Sequence, residues 1–512
     1  MTEKGWKKVN EFERDLSHSQ TSINANIQYT VPSLKVLSDD NYMVLGRIIA
    51  SHMSEQAPRL AQLYNYYENN NEGISKGRRN EAWKEGADNR PSHPFASLIT
   101  DFHTTYSVGK PVKVNFHTVD DTTDEQNNKL QELDHLNDTD TLNYQLYSDM
   151  GKYGRAYEQV FYDGENIRYA RLDPFKTFII YSTDIIPKPL MSVRYIAQPL
   201  LGGDAVAEYL LDLYTDTGHY TMQMNGQGSN LTLIKAEENA LDTIPVIEYE
   251  NNTERTGDFE KVIPLIDLYD AAQADTSNYM QDYVNALLVI KGDLDAFSTD
   301  DADHLIQGGK FLALKTGKDV NGASTDIDVE YLTKSMDSSS SELYKSRVAS
   351  DIYTFSKTPN YVDGDFSSNS SGVALKYRML ATVTLAEVKR HEFSTGLMNR
   401  YRLVTKLLKG LAEINSKWDI EKLDISYTDN VPLDEATIIN NFIALGGQVS
   451  EETKLNYVQG ILVQDVPDEL KRLESQEEDY GDWINSSSTE SVDNRSVAVQ
   501  EEANTDEDDS TD

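Results

Sequence analysis

Apolar positions in this chain change their spacing along its length. Between Asn41 and Tyr67, first Val44, Ile48 and His52, then Leu60, Leu63, Tyr64 and Tyr67, keep helical steps, with a break at Pro58. Phe95, Leu98, Ile99, Phe102 and Tyr106 mark another helical face, which Gly109-Lys110-Pro111 stops. Val112 and Val114 alternate as in a strand, and Leu142 to Tyr153 predict a helix. Strands are predicted over Ala156–Tyr162, Ile167–Leu172, Thr177–Tyr181, Met191–Ile196, Ala207–Tyr214 and Tyr220–Met224, with turns at Asp163-Gly164 and Gly226-Gln227-Gly228. Residues 41–257 thus predict an α+β domain behind an irregular arm, 1–40.

The second half reads differently. Eleven of fourteen prolines lie within residues 1–264, so long helices can follow. From Phe259 to Ile290, Leu265, Leu268, Ala272, Thr276, Tyr279, Tyr283 and Leu287 keep helical steps, and Gly292 ends the run. Residues 293–336 predict a small mixed unit in which Phe311–Leu314 and Val329–Leu332 pair around a Gly-rich loop. Leu343–Phe355 is helical again, and Lys357–Ser371, dense in Pro, Asn, Asp, Gly and Ser, is a loop. Ser371 is placed to cap a helix that runs without proline to Leu411, with Phe393, Leu397, Tyr401, Val404, Leu408 and Leu411 as its stripe. At ~1.5 Å per residue, some forty residues span about 60 Å, more than a small domain needs. Residues 414–473 predict a short strand, Leu423–Tyr427, and shorter helices.

Composition narrows the class. With 512 residues and ~150 per domain, three or four units are expected. The charge, 47 − 85 = −38, argues against a general nucleic-acid binder, which needs Lys and Arg to displace counterions. The chain has no cysteine, which removes disulfides, thiolate zinc sites and thiol catalysis. No apolar run approaches ~18 residues, and Met-Thr-Glu-Lys-Gly-Trp lacks the apolar core of a signal peptide, so neither secretion nor membrane insertion is expected. From Glu474 to Asp512 fourteen acidic residues face one basic, Arg495, and this stretch is expected to be a disordered, solubilising tail.

Catalytic and metal motifs do not assemble. Gly317-Lys318 is followed by Asp319 and has no glycine five residues earlier, so it is not a phosphate loop. Asp363, Asp365, Ser367 and Asn369 alternate like a calcium loop, but Ser368 stands where glycine is required and Ala374 where a bidentate Glu is required. The nine histidines form no HExxH pair, His391-Glu392 lies within the long helix, and no GxSxG elbow occurs. No catalytic residue, metal or cofactor is assigned. Charge placement says more. Residues 372–413 carry eight Lys or Arg against three Glu, a net +5 inside a −38 chain. Those cations either pair with acidic elements of the same or neighbouring chains, or touch a phosphate backbone. Asp258–Lys291 is the reverse, with six acidic residues and two basic.

Four segments together resemble a known family. They are Arg59-Leu60 to Tyr66-Tyr67 with Asn89-Arg90 to Gly109-Lys110-Pro111; Asp258 to Gly292, with Leu265-Ile266-Asp267-Leu268-Tyr269-Asp270, Asp275 and Asn278; Thr358-Pro359-Asn360 to Ser371-Gly372-Val373-Ala374-Leu375-Lys376-Tyr377; and the basic helix after it. In this order they resemble the portal proteins of long-tailed double-stranded DNA bacteriophages, of the Gram-positive siphophage type. The resemblance spans most of residues 41–470.

It implies a mainly helical α+β portal fold assembled as a ring of about twelve copies around a channel. The implied parts are a wing (41–257 and the long helix 372–413), stem helices (258–291 and 337–356), a clip (292–336), a tunnel loop (357–371) and a helical crown (414–473), with the arm 1–40 and the tail 474–512 outside the likeness. The channel residues implied are Lys357, Asn360, Tyr361, Asp363, Gly364, Asp365, Ser368 and Asn369 in the loop, and Asp267, Asp270, Asp275, Asp282, Glu342, Lys345 and Arg347 on the stem. The implied partners are further copies of the chain, the terminase large subunit, a head–tail connector or adaptor, major capsid and scaffolding proteins, and the double-stranded DNA that passes through. No membrane is among them. The expected place is a unique virion vertex, reached after assembly in the host cytoplasm. Another structural ring of the virion is the alternative, although connectors and adaptors are usually much shorter. An enzyme with an unrecognised site is a further one, against which the missing motifs count.

Overall fold

A computed structural model describes residues 23–75, 87–116, 121–198, 208–225, 229–284, 287–292, 311–315, 328–332, 338–360, 377, 379–412, 414, 418–430, 435–445, 449–458 and scattered positions to 475. Most of the 1–40 arm and nearly all of the acidic tail lie outside them. The chain divides into two compact units, Met1–Asn430 and Val431–Asp512. Described elements of the second unit include the helix Glu435–Leu445 and the helix Glu451–Tyr457, which Ser450 caps by accepting from the Thr453 N–H.

Within the first unit the largest sheet has six strands in the order β1-β5-β6-β7-β8-β9. They are β1 (Tyr29–Val31), β5 (Thr177–Ser182), β6 (Pro189–Gln198), β7 (Glu208–Tyr214), β8 (Gly218–Asn225) and β9 (Ser229–Glu238). β5 to β9 form an antiparallel meander, whereas β1 joins β5 in parallel. One face of the sheet is apolar because alternate residues point the same way. Phe178, Ile180, Met191, Val193, Leu211 and Met222 meet α1 (Leu34–Ser38) and α2 (Met43–Ser51) there. The break expected at Pro58 takes the form of a π-turn, His52–Gln56, between α2 and α3 (Ala57–Tyr67), which accommodates the missing proline N–H. The parallel strand β1 falls in the stretch read as an irregular arm, because three residues carry no periodic signal.

A second core lies under a three-stranded sheet, β10 (Val246–Glu250), β3 (Arg155–Tyr162) and β4 (Ile167–Leu172). It is covered by α6 (Thr139–Tyr153) and by α9 (Leu380–Gly410), after α4 (Phe95–Val108) and α5 (Asp121–Leu136). Of the stripe read from the sequence, Phe393, Leu397, Tyr401, Val404 and Leu408 are buried in this core, whereas Leu411 stands just past the last helical residue and is exposed. Gly396 lets α9 lie directly on the sheet: a Cβ there would come within 2.3 Å of the Tyr249 ring. The strand expected at Leu423–Tyr427 is β14 (Leu423–Ser426), and it pairs with β2 (Lys113–Phe116) inside the first unit.

The helix expected from Phe259 to Ile290 is shorter than its pattern. It runs as α7 (Ile263–Val284), and the end of the pattern is a strand, β11 (Leu287–Gly292). β11 is the centre of a sheet, parallel to β12 (Phe311–Lys315) and antiparallel to β13 (Asp328–Leu332). The two outer strands were expected to pair with each other. Leu287-Leu288-Val289-Ile290 is a short aliphatic run, which periodicity alone cannot separate from helix and which suits the middle of a sheet. The chain returns through α8 (Ser338–Phe355). Residues 293–310 and 316–327 of the expected clip lie outside the described residues.

Candidate functional site: a helix pair and the root of the loop after it

α7 and α8 stand side by side on a common base. Pro264 occupies the first turn of α7, where its missing N–H costs nothing, and no glycine or further proline interrupts the helix. Phe259 and Val262 from the turn before α7, Ile266 of α7, and Val348 and Ile352 of α8 are buried against Leu60, Leu63 and Tyr66 of α3 and Phe95 and Ile99 of α4. Arg59 locks this base: its Nε donates to Glu260 Oε1 at 2.9 Å and its Nη2 to Oε2 at 2.5 Å. The same Nη2 also donates to the Arg255 carbonyl at 3.2 Å. Both side chains are largely buried, and the bidentate fork fixes distance and orientation together.

The carboxylates of this helix pair divide by burial. Asp270 is fully buried, accepting from Asn71 Nδ2 at 2.5 Å and pairing with His93 Nδ1 at 2.6 Å. Burial raises its pKa, and these hydrogen bonds oppose the rise. Asp267 accepts from the Tyr66 hydroxyl at 2.7 Å, and its pKa is also raised, again chiefly by burial. Both are therefore turned toward α3 and the segment after it. Asp275 is exposed, and the Asp282 side chain lies outside the described residues. On α8, Lys345 is buried, bonded to Glu342 and 3.5 Å from Gln273 Oε1 of α7. Glu342 and Arg347 are exposed, and Arg347 reaches Asp351 one turn on at 3.3 Å.

α8 ends in a left-handed stop. Lys357 has φ +56°, its N–H donates to the Thr354 carbonyl at 3.2 Å, and the Thr358 N–H donates to the Tyr353 carbonyl at 3.0 Å. This is a Schellman ending with lysine where glycine is usual. The Lys357 carbonyl accepts from Thr382 Oγ1 of α9 at 2.7 Å. His103 of α4 holds the turn from below, its Nε2 3.1 Å from the Ser356 carbonyl and 3.2 Å from Thr358 Oγ1. A carbonyl only accepts, so Nε2 carries the proton, and burial drops the ring's pKa to about 4. The loop thus leaves a fixed root. Asn360 is half-buried at the edge of the described residues. Tyr361, Asp363, Gly364, Asp365, Ser368 and Asn369, as well as Ser371, lie outside them.

Among the described residues, four cations of the basic helix form ion pairs inside the chain, and Lys406 Nζ donates to the Leu241 and Asp242 carbonyls at 3.4 Å; Lys376 and Arg378 lie outside the described residues. Lys389 pairs with Asp258 at 2.7 Å, Arg390 with Asp429 at 2.7 Å, Arg400 with Glu158 at 2.9 Å and Arg402 with Glu421 at 3.1 Å. The intrachain alternative therefore holds for these four. Arg400 and Glu158 are both fully buried, and Tyr249 donates to the same Glu158 Oε2 at 2.6 Å. His103, Glu158 and Gly396 were not singled out in the sequence. An isolated His, Glu or Gly has no local pattern that reports a partner more than a hundred residues away. Among the described residues no three His, Asp or Glu side chains form a group that could hold a metal ion. What the arrangement provides is mechanical: two helices held together at their base, with the chain after α8 fixed at its turn through residue 358.

Known proteins resemble this chain over most of its length. The model of a family described as phage portal protein, SPP1 Gp6-like, matches residues 47–482. A portal protein of Bacillus phage SPP1 is 23% identical over 475 residues, covering 88% of this chain and 90% of the relative. A portal protein of Clostridium phage phiCD119 is 23% identical over 429 residues, covering 78% and 89%. Among solved structures, a chain from the neck of an empty GTA particle aligns with a TM-score of 0.40 and 13% identity, covering 71% of this chain and 88% of its own; so slight a likeness carries no argument.

Proposed function

The chain belongs to the SPP1 Gp6-like phage portal proteins, and on that premise we propose that about twelve copies close into a ring around a channel for double-stranded DNA. The ring would occupy one capsid vertex, admit DNA driven by the terminase large subunit, and later release it toward the tail. Residues 41–257 and 372–413 form the wing in this reading, α7 and α8 the stem, 292–336 the clip, 357–371 the tunnel loop and 414–473 the crown. The clip would meet the terminase or a head–tail connector, and the wing the capsid and scaffolding proteins, during assembly in the host cytoplasm. No described helix is long and apolar enough to cross a membrane.

The observation that carries the reading is the match across residues 47–482, which takes in the helix pair, the loop root and the long helix in one run. The portal relatives are matched over 90% and 89% of their own lengths, which favours a portal over a shorter connector. The physics is compatible with sliding. A net charge of −38 keeps DNA from adhering, and the exposed Lys357 at the loop root offers a single, weak contact to a passing phosphate. Asp267 and Asp270, which tie α7 to its base, and Lys345, which ties α8 to α7, belong to support rather than to the channel wall; Asn360 and the segment beyond it are the channel-facing part.

Rotational averages from electron microscopy of the purified chain test this. Rings with a central opening wide enough for a DNA duplex are expected. A stable monomer or two-fold dimer by sedimentation across a range of salt would overturn the reading.

A further inference from the structure

The α7–α8 pair leaves two faces uncovered. On α7 the exposed line is Pro264, Leu268, Ala271 and Asp275; on α8 it is Leu343, Arg347, Ser350 and Thr354. Leu268 is 43% exposed and Leu343 73%. Each line keeps steps of three and four, so each is one continuous strip of a helix.

The two strips lie on opposite flanks. α7 touches α8 through Gln273 and Thr276, which meet Lys345 and Ser341 at 3.5 and 3.3 Å. At 3.6 residues per turn the uncovered strip of α7 points well away from those contacts, and that of α8 is roughly half a turn from its own. The contacts also set the heights. With Thr276 level with Ser341, and Gln273 with Lys345, the antiparallel pair places Leu268 level with Ser350, Ala271 with Arg347, and Asp275 with Leu343.

In a ring whose axis runs along the helix pair, cyclic symmetry carries each residue to its neighbour's equivalent at the same height. We infer that the α7 strip of each copy docks on the α8 strip of the next, Leu268 against Ser350 and Ala271 beneath Arg347, with Asp275 reached by that Arg347. This rests on the ring reading and names the occupant of both strips, a second copy. Size and charge argue for it. Leu268 faces Ser350 and Arg347 faces Ala271, which lets the helices close up there, and Asp275 of the α7 strip meets the strip carrying an arginine that is 77% exposed. Asp275 has no ion pair among the described residues, whereas Arg347 has only its surface neighbour Asp351.

The chain has no cysteine, so disulfide trapping reads the contact directly. A Leu268→Cys/Ser350→Cys variant, oxidised and run without reductant, should give a ladder of linked chains up to the closed ring. Each single variant should stay a monomer band. A second arm uses charge. Asp275→Arg should lower the fraction of chains in rings several-fold at low salt, and Arg347→Asp in the same chain should restore it. Dimers from either single cysteine would reveal a two-fold contact and overturn the inference. So would wild-type rings whose double-cysteine variant assembles without a ladder, or a charge reversal that leaves assembly unchanged or is not rescued. Those results leave the ring reading standing; it fails separately, if the wild-type chain forms no ring.

Discussion

Lys389 Nζ lies 2.7 Å from Asp258 Oδ2, and both side chains are almost wholly buried, at 2% and 3% exposure. Asp258 stands just before α7 and Lys389 in the first third of α9, so this pair pins the long helix to the base of the α7–α8 pair. Asn251 Nδ2 also donates to Asp258, at 3.0 Å, and the Lys389 ammonium sits 4.7 Å above the Tyr147 ring. Removing one partner strands a buried charge, which is worse than lacking both.

Lys389→Met should therefore destabilise the chain by about 3–5 kcal/mol, read from denaturant unfolding. Adding Asp258→Asn to that variant should recover part of the loss, because the stranded charge is gone. Equal losses in the single and double variants would mean that the pair does not act as a unit.

Gly396 and Gly410 predict opposite outcomes for the same change. Gly396→Ala drives a methyl into Tyr249, a ring already held by Glu158, and should cost about 1–3 kcal/mol as the helix is forced off the sheet. Gly410→Ala meets nothing within 4 Å at the last helical residue and should be neutral or stabilise by up to about 1 kcal/mol. Thermal unfolding of the two variants checks the contrast.

Lys357 combines a charge with left-handed backbone. Lys357→Gly removes both the charge and the strain, and should raise stability by up to about 1 kcal/mol. Lys357→Val keeps the strain, worsens it through β-branching and should lower stability by about 1–2 kcal/mol. In both variants rings should form, and any modest change in packaged DNA shared by the two follows from the lost cation. Were Gly to destabilise the chain, the left-handed turn at the end of α8 would be wrong.

His103 makes the loop root sensitive to acid. Its folded pKa, about 4, lies below the ordinary histidine value of 6.5, because burial disfavours the charged ring. The unfolded chain then binds the extra proton first. Stability from this group is complete above about 6.5 and is lost as pH falls toward 4. His52, with a pKa of about 3, acts in the same direction, whereas Glu250, raised by burial to about 7, acts in the opposite one. His103→Gln should flatten the fall in melting temperature between pH 6.5 and 4.5. An unchanged slope would show that His103 does not titrate there.

Much of the fold is written locally. Spacing along the chain marked the apolar stripe of α9, the helix over Phe95 to Tyr106 and most strands of the meander, because an amphipathic element records in its own residues which of its faces is covered. Family likeness could be read for the same reason, from segments whose order survives without their contacts. Partners are not recorded that way. Eight cations within residues 372–413 called for anionic partners, acids or phosphate, but only folding chose Asp258 for Lys389, 131 residues away, and Glu158 for Arg400 at a distance of 242. Leu287 to Ile290 suits a helix or a strand equally, and the presence of β12 and β13 on either side decided it. The flanks of the stem are the converse case: their residues are plain in the sequence, yet that they lie on opposite sides and at matching heights follows only from Gln273 meeting Lys345 and Thr276 meeting Ser341. A chain specifies its local faces through nearest neighbours, whereas register between distant elements is settled by packing, where many weak local preferences yield to one shared core.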